Sequence, residues 1–170
     1  MIFATIGNDH REFRRFNNLI HLIGKLYPNE KIIYQNGYTP FISELPNITN
    51  KEFIKREEFK HVLEKSSLVF THAGAGTLLQ LTKLKKIPLV LPRLFKFNEH
   101  LDNHQKETLN EFIKLKFALE IEYPFFESEL NKKIKLAHFL NKSKPLTNDV
   151  FKENLLIKSI KKDIAEYLEK

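Results

Sequence analysis

The 170-residue sequence contains no cysteine. That excludes disulfides, thiolate metal sites and a cysteine nucleophile, and it fits a reducing compartment. No long apolar run is present, so no stretch reads as a transmembrane helix, and Met1 leads into a strand-like run without a signal peptide's charged start and apolar stretch. A net charge of +7 comes without an arginine-rich run or a nucleic-acid motif, and the lysines are scattered, so nucleic acid is not an expected partner. No repeat or low-complexity segment interrupts the chain. With 42% hydrophobic and 29% charged residues, its length and composition suit one globular, cytoplasmic domain with a real core.

The stretch 67–105 organises the rest. Leu68, Val69 and Phe70 read as a buried parallel strand, followed by the turn His72-Ala73-Gly74-Ala75-Gly76-Thr77, a helix, and a second apolar run at 88–91. This is a βαβ pattern, and ligands of such units bind beyond the carboxyl ends of the strands. Gly74 and Gly76 allow positive φ and close approach of a ligand to backbone N–H groups. Thr77 and the helix behind it present unpaired donors and a positive dipole end, so a phosphate is the expected guest. The plainer reading is a tight turn that only lets strand and helix pack.

A second loop shifts the balance. Glu99, His100, Asp102, Asn103, His104 and Gln105 place six hydrogen-bonding side chains in seven positions, a set that suits a polyhydroxylated ligand. The alternative is helix capping by Asp102 or Asn103 with solvated histidines.

Elsewhere the pattern predicts a strand at 2–6, the loop Gly7-Asn8-Asp9-His10, and a helix from about Arg11 that ends between Gly24 and Pro28. A strand at 31–34 and a turn at Gln35-Asn36-Gly37 follow, then a mostly irregular stretch at 39–50 with a short strand in 48–53 and a helix from Arg56 to Ser66. Phe53, Phe59 and Phe70 read as core. Beyond Gln105 the expectation is a helix, a final strand at 117–121, a helix at 127–140, a break at 142–148 and an amphipathic helix at 150–170. Asp9 and His10 read as a helix cap and a surface histidine.

The ordered motifs HAGAGT, PLVLPR and NEHLDNHQ, with the opening MIFATIGNDHREFRRFNNLI, resemble the C-terminal, donor-binding domain of the glycosyltransferase family that includes the peptidoglycan enzyme MurG. The similarity runs to about Leu119 and extends to single-domain members. These are the PssE-type exopolysaccharide subunits and the soluble subunit of the eukaryotic two-part dolichol-linked UDP-GlcNAc transferase. It implies an α/β fold, a Rossmann-like, mainly parallel sheet of five or six strands flanked by helices, forming one half of a GT-B enzyme. A donor domain would occupy 1–140, and 141–170 would be a linker and helix packed on that domain or on a partner.

The resemblance also implies a UDP-sugar donor, a lipid-linked acceptor, and no cofactor or metal. Gly74, Ala75, Gly76 and Thr77 would meet the diphosphate, with Gly7, Asn8, His72 and Ala73 beside the ligand. Glu99, His100, Asn103, His104 and Gln105 would meet or adjoin sugar hydroxyls. Gln80 stands where relatives commonly carry a ribose-binding Glu, and Asn8 where they carry Thr, departures that also suit a non-catalytic nucleotide-sugar sensor. In two-domain relatives the acceptor site and general base lie in the other half, for which 170 residues leave no room. A membrane-anchored partner subunit and a peripheral place at the cytoplasmic face are therefore implied. No base is assigned, since His10, His72, His100 and His104 are all possible by their ordinary pKa. Two other classes compete: an epimerase half, although such enzymes keep both halves in one chain, and a dinucleotide binder, disfavoured because no full GxGxxG opens the first βα unit.

Overall fold

A computed structural model describes residues 1–142 of the chain. The expected break and the helix at 150–170 lie outside the described residues. The elements, in order, are β1 (Ile2–Thr5), α1 (Arg14–Leu26), β2 (Ile32–Gln35), β3 (Ile48–Lys51), α2 (Arg56–Lys65), β4 (Leu68–Thr71) and α3 (Ala75–Lys83). There follow β5 (Leu89–Val90), a 3-10 turn (Phe95–Phe97), α4 (His104–Lys114), β6 (Leu119–Glu120) and α5 (Glu127–Lys142). The six strands form one sheet in the order β3-β2-β1-β4-β5-β6, and every pairing is parallel. An all-parallel sheet needs helices on both faces, because each crossover must return over the sheet.

The central strands β1 and β4 are buried on both faces for that reason. Side chains alternate across a strand, so Ile2 and Ala4 of β1, with Leu68 and Phe70 of β4, point to one side. There they meet Phe16, Leu19, Ile20 and Ile23 of α1 and Leu130, Ile134 and Ala137 of α5. Phe3 and Val69 point the other way, onto Val62 and Leu63 of α2 and Leu81 of α3. A third cluster joins Leu78 of α3 and Val90 of β5 to Leu109 and Phe112 of α4.

Three local features refine the sequence expectation. α1 begins at Arg14 rather than Arg11, because the Phe13 N–H is taken by the Thr39 hydroxyl at 2.9 Å, a long-range bond that serves as the helix entry. α1 ends at Leu26, within the expected span, and Gly24 lies inside its last turn. A Cβ there would come within 2.7 Å of Ile48 and 2.9 Å of Leu45, so glycine lets the helix approach the β3 segment. Phe53 is 46% exposed and packs edge to face on Tyr38 rather than in the core.

The crossovers create the feature that positions a ligand. From β1 the chain passes over one face through α1 to β2 and β3, then returns over the opposite face through α2 to β4, on the other side of β1. The carboxyl ends of β1 and β4 thus stand side by side while their following segments diverge. That is the crevice in which open α/β sheets bind ligands.

Candidate active site

A cavity of about 830 Å³ occupies this crevice. Its walls come from the segment after β1 (Gly7, Asn8), the end of β2 (Gln35), the turn after β4 (His72, Gly74, Gly76, Thr77), the start of α2 (Arg56, Glu57, Lys60) and the outer face of α3 (Gln80, Lys83). Ile54, Phe59 and Leu84 add apolar surface. The structure therefore brings together seven residues that the sequence singles out: Gly7, Asn8, His72, Gly74, Gly76, Thr77 and Gln80.

The two glycines of the turn act differently from the sequence expectation. Neither has positive φ. Gly74, at φ −75° and ψ 121°, precedes α3, and Gly76 already lies within its first turn. Gly74 is required by crowding, since a Cβ there would collide with the His72 ring. At Gly76 a Cβ would meet nothing within 4 Å, so this position opens the helix start to the cavity. The left-handed backbone belongs instead to Gly7, at φ +72°, where a Cβ would lie 2.5 Å from the His72 ring.

His72 is thus wedged between two glycines and is 8% exposed. Burial, helped by the positive charge of Arg93, drops its pKa from 6.5 to about 3, against the opposing effect of a backbone contact with Thr5. The ring is neutral at physiological pH and too weakly basic to serve as a general base there, which removes it from the four candidate histidines. The same depression predicts acid sensitivity. Above about pH 6.5 neither the folded nor the unfolded chain protonates this ring. Between there and about pH 3 only the unfolded chain binds the proton, so stability falls as pH falls, by up to about 1.4 kcal/mol per pH unit. Urea titrations of the wild type and His72→Gln across this range should show a shallower pH slope in the variant. Equal slopes would mean that His72 titrates normally in the fold.

The polar loop lies outside this lining. Its side chains do not line the cavity but hold the surrounding loops together. Glu99 is 3% exposed and forms an ion pair with the buried Arg15, while its other contact is the Leu94 N–H at 3.1 Å. Gln105 uses one carbonyl oxygen for two backbone N–H groups, Ala73 at 3.2 Å after β4 and Arg93 at 3.1 Å after β5. Asn103 accepts from the Phe95 N–H at 3.2 Å, and Asp102 from the His104 N–H at 2.9 Å. His100 stands 2.9 Å from Asp102 and 3.9 Å from Asp9. His104 is half-buried, its ring 3.4 Å from the Thr108 hydroxyl. Ala73 is buried with the α3–α4 cluster, and Ala75 packs against it. Fixing a loop consumes the same donors and acceptors that reading a ligand would, and composition does not separate the two roles.

Two groups of residues escaped the sequence reading. Arg93, fully buried, donates to the carbonyls of Arg11 at 2.7 Å, Ile6 at 3.2 Å and Glu99 at 3.2 Å, clamping the segment after β1 to the segment after β5. The other group is the cationic wall of Arg56, Lys60 and Lys83, opposed among the lining side chains by the carboxylate of Glu57 alone. Arg56 and Lys60 stand four residues apart, one turn of α2, a spacing that could have disclosed a shared face. With the open start of α3, this wall makes the cavity attractive to a polyanion.

Comparison with known proteins agrees with this geometry. Residues 4–168 match the glycosyltransferase family 28 C-terminal domain. Over 88 residues the chain is 32% identical to the UDP-N-acetylglucosamine--N-acetylmuramyl-(pentapeptide) pyrophosphoryl-undecaprenol N-acetylglucosamine transferase of Clostridium kluyveri, a match covering 52% of this chain and 22% of that protein. Among solved structures, the kitacinnamycin glycotransferase superposes with a TM-score of 0.61 at 17% identity, covering 88% of this chain and 36% of that one. MurG of Acinetobacter baumannii gives 0.57 at 14% identity, covering 87% and 46%. At such identities the structures establish the fold alone. The chain spans about a fifth of the curated relative and less than half of either solved structure.

Proposed function

This chain belongs to the glycosyltransferase family 28 C-terminal domain family, and from that premise we propose that it binds the UDP-sugar donor of a glycosyltransferase whose acceptor is lipid-linked. The observation that carries the reading is the start of α3, open at Gly76 onto a cavity with a cationic wall. A diphosphate seated there meets backbone N–H groups and the positive end of a nine-residue helix.

In the transfer, an acceptor hydroxyl oxygen attacks the anomeric carbon of the sugar, and the bond from that carbon to the β-phosphate oxygen breaks. The bonding pair leaves with UDP. Negative charge grows on the diphosphate as this happens, and preorganised donors aimed at it stabilise the transition state more than the ground state. The backbone at Gly76 and Thr77 and the charges of Arg56, Lys60 and Lys83 do this work from the donor side. The base that takes the acceptor proton and the wall that encloses the acceptor come from a second half, which we assign to a membrane-anchored partner subunit. Among the described residues no helix is long and apolar enough to cross a membrane. A GT-B site lies between two domains, and one wall cannot exclude water from the reacting centre.

Calorimetry with UDP, NAD and ATP tests the donor site, and UDP should bind most tightly. NAD binding equally well would overturn the assignment. A transfer assay with a polyprenyl-linked acceptor tests the division of labour. The chain should transfer negligibly alone and robustly with its partner, and robust transfer without one would reject the two-subunit arrangement.

A further inference from the structure

One polar group in the cavity wall is left unsatisfied by the protein around it. Gln35 ends β2, is 4% exposed and lines the cavity, yet its Oε1 is fully buried without a hydrogen-bond partner. The next residue shows the contrast: Asn36 Nδ2 donates to the Thr39 carbonyl at 2.8 Å, and its Oδ1 accepts from Asn50 at 3.4 Å. Native proteins rarely leave a buried carbonyl unpaired, and an unpaired one beside a cavity points to a partner that arrives with the ligand. The backbone here is fixed, because the main-chain carbonyl of Gln35 accepts from the Ile6 N–H at 3.2 Å and Gln35 is in register with Thr5 of β1, whereas no hydrogen bond within the described residues holds the carboxamide oxygen.

Position indicates what that partner is. Gln35 is opposite Thr5, and Thr5 is opposite Thr71 at the end of β4. Two strand spacings therefore separate Gln35 from the strand that leads into α3, about 10 Å in all. A ribose spans that gap when the diphosphate sits at the start of α3. Ile54, Phe59 and Leu84 line the same cavity and provide apolar surface for a planar ring.

We propose that Gln35 reads the nucleobase of the donor. Turned toward the cavity, its carboxamide accepts the imide N3–H of a uracil on the carbonyl and donates from the amide to a neighbouring ring carbonyl, a pairing that uses both ends of the group. This rests on the UDP-sugar reading and names the residue that gives the base its polar partner.

The test is a cycle on the full chain with two proteins, wild type and Gln35→Met, and two ligands, UDP and N3-methyl-UDP, read by calorimetry beside thermal unfolding. Gln35→Met should weaken UDP by about 10- to 100-fold. It should leave the unfolding midpoint unchanged or raised, since the buried orphan carbonyl is gone. N3-methylation should weaken binding to the wild type by a similar factor and add little to the defect of the variant. A merely structural glutamine would give equal methylation effects in both proteins, and that result overturns the proposal while leaving the UDP site standing. So would a wild type indifferent to N3-methylation, which needs no variant to observe. Failure of the wild type to bind UDP would instead remove the donor reading on which the proposal rests.

Discussion

Gly76→Val is expected to reduce UDP affinity about a hundredfold or more, roughly 2.7 kcal/mol, in a protein that remains folded. The two halves of that expectation have separate physical origins. A Cβ at this position meets nothing within 4 Å, so the valine side chain starts into open space. Gly76 is also helical, and replacing glycine within a helix by any residue that fits relieves part of its entropy cost, even though valine is a mediocre helix former. Stability should be unchanged or slightly raised. The space a valine fills, however, is the space through which an anion reaches the N–H groups of the first turn of α3. Calorimetry together with thermal unfolding separates the two effects. A folded variant that binds UDP as the wild type does would show that this turn serves packing alone.

Arg93→Met should cost about 3–5 kcal/mol of stability, the scale for removing one partner from a buried charged network. The guanidinium is fully buried over the Phe13 ring, its Cζ 4.8 Å from the centroid. It donates to three carbonyls, which methionine would leave without that donor. Burial lowers its pKa, while Asp9 and Glu99 oppose that shift and hold its charge in place. In urea, the transition should move to lower denaturant with an unchanged slope, as for a loss of stability without a change in the surface exposed. A loss below about 1 kcal/mol would mean that the loops hold their positions without the clamp.

Arg93 also shows where a sequence stops being informative. The buried strands were legible because burial on both faces demands continuous apolar runs, as in the LVFT of β4, and the helices because their apolar positions recur every three or four residues. The order of the motifs placed the turn after β4 correctly. An arginine after a strand, by contrast, reads as surface, and only the converging carbonyls of Ile6, Arg11 and Glu99 make it internal. Gln105 misleads in the opposite sense, since a polar side chain in a polar loop looks available until two distant N–H groups are found on its oxygen. The glycines of the turn were recognised as special, but the reason for each depends on the His72 ring, whose position is set by the packing of β1 against β4. Hydrogen bonds between residues far apart in the chain leave no periodic trace.

The late position of the latch has a consequence during synthesis. Every residue lining the cavity lies between Thr5 and Leu84, whereas Arg93, Glu99 and Gln105, which fix the loops around it, all come afterwards. On a ribosome adding about 5–20 residues per second, roughly one to four seconds pass between emergence of the last wall residue and of Gln105. Through that interval the segments after β1 and β4 lack the bonds that Arg93 and Gln105 later supply. The cavity walls are thus complete in sequence before the residues that brace them, so full bracing of the crevice waits for the second half of the sheet.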